Sequence, residues 1–198
     1  MSTNIILCGV GGQGTILASR LIAAAALRSG IQIRTAETIG MAQRGGSVFS
    51  HIRLGDGAAS PLIARGTADL IIGFEPGETV RQLPFLKTGG AVVTGTRPVM
   101  PVSATIGQSS YDAGAMLDYL RANVANLTIV DGDRAAAELG SAKTLNVVLL
   151  GAALRSGALG LEAADLEAAV REKVPPKFLD LNLRSLAWGR KATGFDDL

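Results

Sequence analysis

Asn4-Ile5-Ile6-Leu7-Cys8-Gly9-Val10-Gly11-Gly12-Gln13-Gly14-Thr15 is the stretch that decides the fold. Its first five residues form a short apolar run that stops at a glycine cluster, the pattern of a buried strand. Residues 15–29 then have helical composition, with Leu17, Leu21, Ala24 and Ala25 on one face and Gly30 where a helix ends. Gly9, Gly11 and Gly14 therefore give a G-x-G-x-x-G spacing between a strand and a helix, as a dinucleotide fingerprint requires. Residues without side chains let backbone approach a phosphate, and the free N–H groups of the helix start would face it. The same glycines could equally form a tight turn that packs closely and binds nothing. A triphosphate-hydrolysing loop is not expected, because Thr15-Ile16 stand where Lys-Ser/Thr would be needed.

Working outward, residues 31–37 read as a second strand, with Glu37 placed 23 residues after Gly14. In a nicotinamide enzyme that acid could hold a ribose hydroxyl. Strand, helix and strand in this order predict a parallel pair with a right-handed crossover, and the two strands are expected side by side. The pattern then breaks. In Ala36-Glu37-Thr38-Ile39-Gly40-Met41-Ala42-Gln43-Arg44-Gly45-Gly46-Ser47-Val48 a glycine-hinged loop follows the strand, with Gln43 and Arg44 at its tip. An ordinary dinucleotide domain would enter a helix here, so nicotinamide geometry is disfavoured. Arg44 offers a rigid donor fork suited to phosphate or carboxylate. Gly45-Gly46 permits a sharp turn or the close approach of another surface.

Residues 47–54 alternate, with Val48, Ile52 and Leu54 on one face and Phe49, His51 and Arg53 on the other. Gly55-Asp56-Gly57 suits a tight turn, and a short partner strand is expected near 62–63. Strands are expected at 69–74, 91–94 and 127–130, with helices at 78–87, interrupted or ended near Pro84, and at 112–124, and an irregular or extended segment at 98–108. From residue 134 the chain reads as helical: 145–154 is apolar all round, 161–174 carries Leu166, Val170 and Val174, and 178–190 carries Leu179, Leu183 and Leu186 on one stripe. The expected fold is one α/β domain over residues 1–198. It is doubly wound, with a mostly parallel Rossmann-like sheet, a β-hairpin insertion and a helical C-terminal third.

Several chemistries are excluded. The net charge of +2 is too neutral for a protein that lives on nucleic acid. No apolar stretch is long enough to span a bilayer, no basic leader precedes a cleavage region, and a cytoplasmic location is expected. One cysteine, Cys8, excludes a disulfide framework and a cysteine-held cluster, and one histidine, His51, excludes a histidine-rich metal site. Cys8 is expected to be a small core residue, and His51 a polar residue on a strand face. Gly45-Gly46-Ser47-Val48-Phe49 lacks the outer glycine of a nucleophile elbow. Gly55-Asp56-Gly57 has no asparagine behind it until Asn123, too far for a thiamine diphosphate motif. No catalytic and no metal-binding residue is assigned. With only 4% aromatic and 18% charged residues, the alanine-rich faces are expected to be buried against a partner. An interface above about 2,000 Å² is expected, with 178–190 as one candidate face.

Cys8 to Gly14, Glu37 with Gly40-Met41-Ala42-Gln43-Arg44-Gly45-Gly46-Ser47-Val48, and His51-Ile52-Arg53-Leu54-Gly55 together resemble the small subunit of the ferredoxin-dependent 2-oxoacid oxidoreductases. The Met-Ala-Gln-Arg-Gly-Gly form is most similar to the indolepyruvate type. The motifs cover residues 4–57. Phe178, Asn182 and Trp188-Gly189 are a weaker echo, and Ala42 stands where relatives often carry serine. The resemblance implies oxidative decarboxylation of an aryl-pyruvate to an acyl-CoA and CO2, with electrons passed to ferredoxin. It implies that thiamine diphosphate, Mg and [4Fe-4S] clusters sit on a large partner subunit. This chain would be inactive alone, would pack on that subunit, and would cover CoA. Carried over residue by residue, Gly9, Gly11, Gly12, Gln13, Gly14, Gln43, Arg44, Gly45 and Gly46 would form the CoA-facing edge. The alternatives are a self-sufficient nicotinamide-dependent enzyme and a structural adaptor whose glycine loop binds nothing.

Overall fold

The computed structural model describes residues 2–38, 45–56, 60–100 and 110–191. The loop tip with Gln43 and Arg44, Gly57, and most of the irregular 98–108 segment fall outside the described residues. Six strands form one sheet among the described residues: β1 (Thr3–Val10), β2 (Ile33–Thr38), β3 (Ser47–Leu54), β4 (Ala68–Gly73), β5 (Leu86–Gly95) and β6 (Asn126–Val130). Their order is β2-β3-β1-β4-β5-β6. β1, β4, β5 and β6 are mutually parallel, and β3 runs antiparallel to both β1 and β2. The sheet is thus mixed, with a parallel core as expected.

The parallel strands are apolar on both faces because both faces are covered by helices. Ile5, Leu7, Leu70, Ile72 and Val93 point into one core, which includes residues of α1 (Thr15–Arg28), α5 (Leu145–Arg155), α6 (Ala163–Lys173) and α7 (Pro176–Lys191). Ile6, Cys8, Ile71 and Val92 point into the other, beneath α2 (Pro76–Gln82) and α3 (Ala113–Asn123). A further helix, α4 (Gly132–Leu139), follows β6. Where α1 ends, Gly30 takes φ 70°, and Ile31 N donates to Ala26 O at 2.9 Å, which closes the helix with a left-handed cap.

Two topological expectations are corrected. The first two strands are not neighbours, because β3 inserts between them, with Thr3 opposite Leu54 and Val10 opposite Ser47. The partner strand near 62–63 is also absent: Leu62 is exposed, and Ile63 N–H donates to His51 Nδ1 at 3.2 Å. The hairpin is formed instead by β2 and β3. Alternation in 47–54 signals a strand with two distinct faces. It does not say which neighbour supplies the hydrogen bonds.

The C-terminal helices explain part of the unusual composition. α5 and α7 cross at glycines: a Cβ on Gly189 would lie 1.9 Å from Val148 O, and one on Gly151 would lie 2.3 Å from Leu186 O. Backbone approaches backbone there, so glycine and alanine fill the space that aromatics fill elsewhere. The apolar stripe of α7, proposed above as a partner face, lies against this chain's own core through Leu179, Leu183 and Leu186.

Candidate functional site

The glycine loop sits at the carboxyl end of β1, and each of its residues has its own structural reason. Gly9 is tightly enclosed: a Cβ would lie 2.8 Å from Gln13 Oε1 and 3.0 Å from Phe74 Cβ. Gly12 has φ 103° and open space around it. Gly14 has φ 87° and opens α1, with a would-be Cβ 2.5 Å from Asn146 Nδ2. Gln13 holds the loop from inside. Its Oε1 accepts from Val10 N at 2.7 Å, and its Nε2 donates to Phe74 O at 3.0 Å, which joins the ends of β1 and β4. Asn146, buried in α5, donates to Gly14 O at 3.2 Å and holds the other side. The side-chain amide of Gln13 thus serves the fold.

The second glycine pair meets the first loop. Gly11 N donates to Gly46 O at 2.8 Å, and Gly45 N donates to Gly11 O at 3.4 Å. The two loops were expected to lie together because β1 and β2 would be adjacent. The described end of the second loop, Gly45-Gly46, lies against Gly11, but because β3 returns antiparallel along β1 and delivers Gly46 to it. The Gly11 N–H is thereby used within the fold, as is the Gln13 N–H, which donates to Val10 O at 3.1 Å. Among the described residues, the donors left to face a ligand are those of Gly12, Gly14 and the first turn of α1, where no side chain caps the helix. Glu37 lies on β2, with β3 between it and β1. It is too far across the sheet to act as the ribose acid of a nicotinamide site built on this loop.

A buried polar cluster beside the loop was not foreseen. Glu75 caps α2, is 2% exposed, and accepts the Glu78 N–H at 2.9 Å. Its other carboxylate oxygen accepts from the Tyr111 hydroxyl, which in turn accepts from Gly77 N at 3.2 Å. Glu78, 7% exposed, accepts from Ser47 Oγ at 2.5 Å and lies 3.4 Å from Arg81 Nε. Thr79 bonds Glu75 O and Thr94 Oγ1, each at 2.8 Å, and so ties α2 to β5. Burial, reinforced by the Glu75 hydrogen bond and charge, holds the Tyr111 hydroxyl well above the usual phenol range. Burial, then the charges of Glu78 and Glu75, push the Cys8 thiol far up, so Cys8 is a core residue and no nucleophile. The helix start was legible in Glu75-Pro76-Gly77-Glu78, which has a helix-start proline and an acid three residues after the cap; the burial of the cluster was not.

His51 is buried rather than displayed on a polar face. It stands edge-on to Phe49 and Phe85, accepts the Ile63 N–H, and is shifted below the usual imidazole range by burial. Among the described residues no cluster of three or more metal-ligating side chains occurs, and no helix is long and apolar enough to cross a membrane.

Comparison with known proteins gives a consistent result. The family model described as pyruvate ferredoxin/flavodoxin oxidoreductase matches residues 4–192. Indolepyruvate oxidoreductase subunit IorB of Thermococcus kodakarensis is 38% identical over 194 residues, covering 96% of this chain and 95% of that one. The IorB subunit of Archaeoglobus fulgidus is 40% identical over 190 residues, covering 96% and 94%. Among solved structures, the 2-oxoglutarate:ferredoxin oxidoreductase from Magnetococcus marinus, with 2-oxoglutarate, coenzyme A and succinyl-CoA bound, superposes with a TM-score of 0.68 at 22% identity. That match covers 96% of this chain and 30% of the other.

Proposed function

The chain belongs to the pyruvate ferredoxin/flavodoxin oxidoreductase family, and from that premise we propose that it is the small subunit of an indolepyruvate-type 2-oxoacid:ferredoxin oxidoreductase. In this reading the complex oxidatively decarboxylates an aryl-pyruvate, transfers the acyl group to CoA, and passes the electrons to ferredoxin. The observation that carries it is identity of 38% and 40% to indolepyruvate oxidoreductase subunits over nearly the whole of each chain. The residues of this chain do not fit the redox cofactors. Its single cysteine is buried in a core, and Asp56 of Gly55-Asp56-Gly57 is an exposed turn residue. Thiamine diphosphate, Mg and [4Fe-4S] clusters are therefore assigned to a large partner subunit, and no bond-making step is assigned to this chain.

Its contribution would be an edge facing CoA. The N–H groups of Gly12, Gly14 and Thr15 offer the positive end of α1, and Arg44, two residues before Gly46, would add a guanidinium. Gly9, Gly11, Gln13 and Gly45-Gly46 shape this edge through packing and mutual hydrogen bonds. Ile16, 41% exposed on the first turn of α1, gives the rim an apolar residue against which a partner or the pantetheine arm could lie. Co-expression with the large subunit followed by a screen of 2-oxoacids tests the substrate. Indolepyruvate should give the highest kcat/KM, and a complex that prefers pyruvate or 2-oxoglutarate would contradict the assignment.

A further inference from the structure

We propose that Glu75, the N-cap of α2, and Glu78 in its first turn, both buried, are positioning residues that hold the return into β3, which borders the glycine loop, and the return into α3. Ser47 is the first residue of β3 and directly follows Gly46, whose carbonyl accepts the Gly11 N–H. Its hydroxyl donates to Glu78 Oε2. On the other side Tyr111, just before α3, donates to Glu75. The two acids are joined to each other through the Glu78 N–H, and Thr79 anchors their helical turn to Thr94 in β5. One turn of helix thus grips the return into β3 and the return into α3 and sets both against the sheet. Capping a helix does not require burial of two carboxylates. Buried acceptors make strong charge-assisted bonds, and losing a partner leaves a desolvated charge, so this arrangement favours one geometry over its alternatives. Through Ser47 and Gly46, Glu78 acts on Gly11 and so on the loop.

The test uses the complex with the large subunit and two readouts, since only the kinetic one rests on the CoA reading above. Ser47→Ala, Glu78→Ala and Glu78→Gln are compared with wild type. Amide exchange of the peptide spanning residues 9–15 should speed up about tenfold in Ser47→Ala and Glu78→Ala. Glu78→Gln, whose amide oxygen still accepts from Ser47, should stay within about threefold of wild type. The KM for CoA should rise about three- to tenfold in the two alanine variants, while kcat and the KM for the 2-oxoacid change by less than about twofold. The double variant Ser47→Ala/Glu78→Ala should be no worse than either single variant. Unchanged exchange in Ser47→Ala, equal damage by Gln and Ala at position 78, or additive effects in the double variant would overturn the proposal. Faster exchange with an unchanged KM for CoA supports the positioning role and counts against CoA at the loop.

Discussion

Gly12 and Gly14 both adopt positive φ, yet their surroundings differ. Gly12 faces open space, so Gly12→Ala should cost only the left-handed backbone penalty, about 1–2 kcal/mol. Gly14→Ala adds a methyl group 2.5 Å from Asn146 Nδ2, whose bond to Gly14 O must then yield. Its expected cost is about 2–4 kcal/mol, the backbone penalty plus a lost, partly buried hydrogen bond. Denaturant unfolding of the two variants measures both, and a Gly12 cost equal to or above the Gly14 cost would contradict this division. The spacing of the glycines was readable from sequence. That Gln13 turns inward was not, because its partners, Val10 N and Phe74 O, are backbone groups brought together only by the β1–β4 pairing.

The elements were largely legible where both faces are buried. β1, β4 and the second half of β5 are short apolar runs, and α1 carries its stripe and its glycine stop in plain view; the largely exposed first half of β5 was missed, because its Leu86 and Lys87 read as the end of a helix. β3 was legible as a strand but not in its place. Its neighbours depend on Gly46 reaching Gly11, a contact that alternation cannot encode. Glu75 and Glu78 read as ordinary acids at a helix start; their burial arises from packing against Ser47 and Tyr111, distant in sequence. The α5–α7 crossing belongs to this scale as well. Gly189→Ala would push a methyl group into the Val148 carbonyl, and backbone cannot rotate away as a side chain can. The expected loss is about 3 kcal/mol or more, at the upper end of overpacking costs. A thermal or denaturant melt checks it, and a change below about 1 kcal/mol would show that the two helices separate freely.

At the scale of the whole molecule, the alanine- and glycine-rich composition has an internal cause that sequence did not reveal. Much of the alanine and glycine serves internal contacts between α1, α5, α6 and α7. The stripe of α7 is among them, which moves the expected partner contact toward other surfaces. The carboxyl edge brings together the glycine loop, the return at Gly45-Gly46, the exposed Ile16 and the carboxylates that hold the neighbouring turns. The central claim is that this edge faces CoA within the assembled oxidoreductase. Its most direct test is the CoA dependence of ferredoxin reduction by the complex carrying Arg44→Ala. The account predicts a KM for CoA raised about tenfold to a hundredfold, the loss of one charge-assisted contact, with the KM for the 2-oxoacid little changed. An intact complex with an unaltered KM for CoA would contradict it and leave the edge as a structural adaptor.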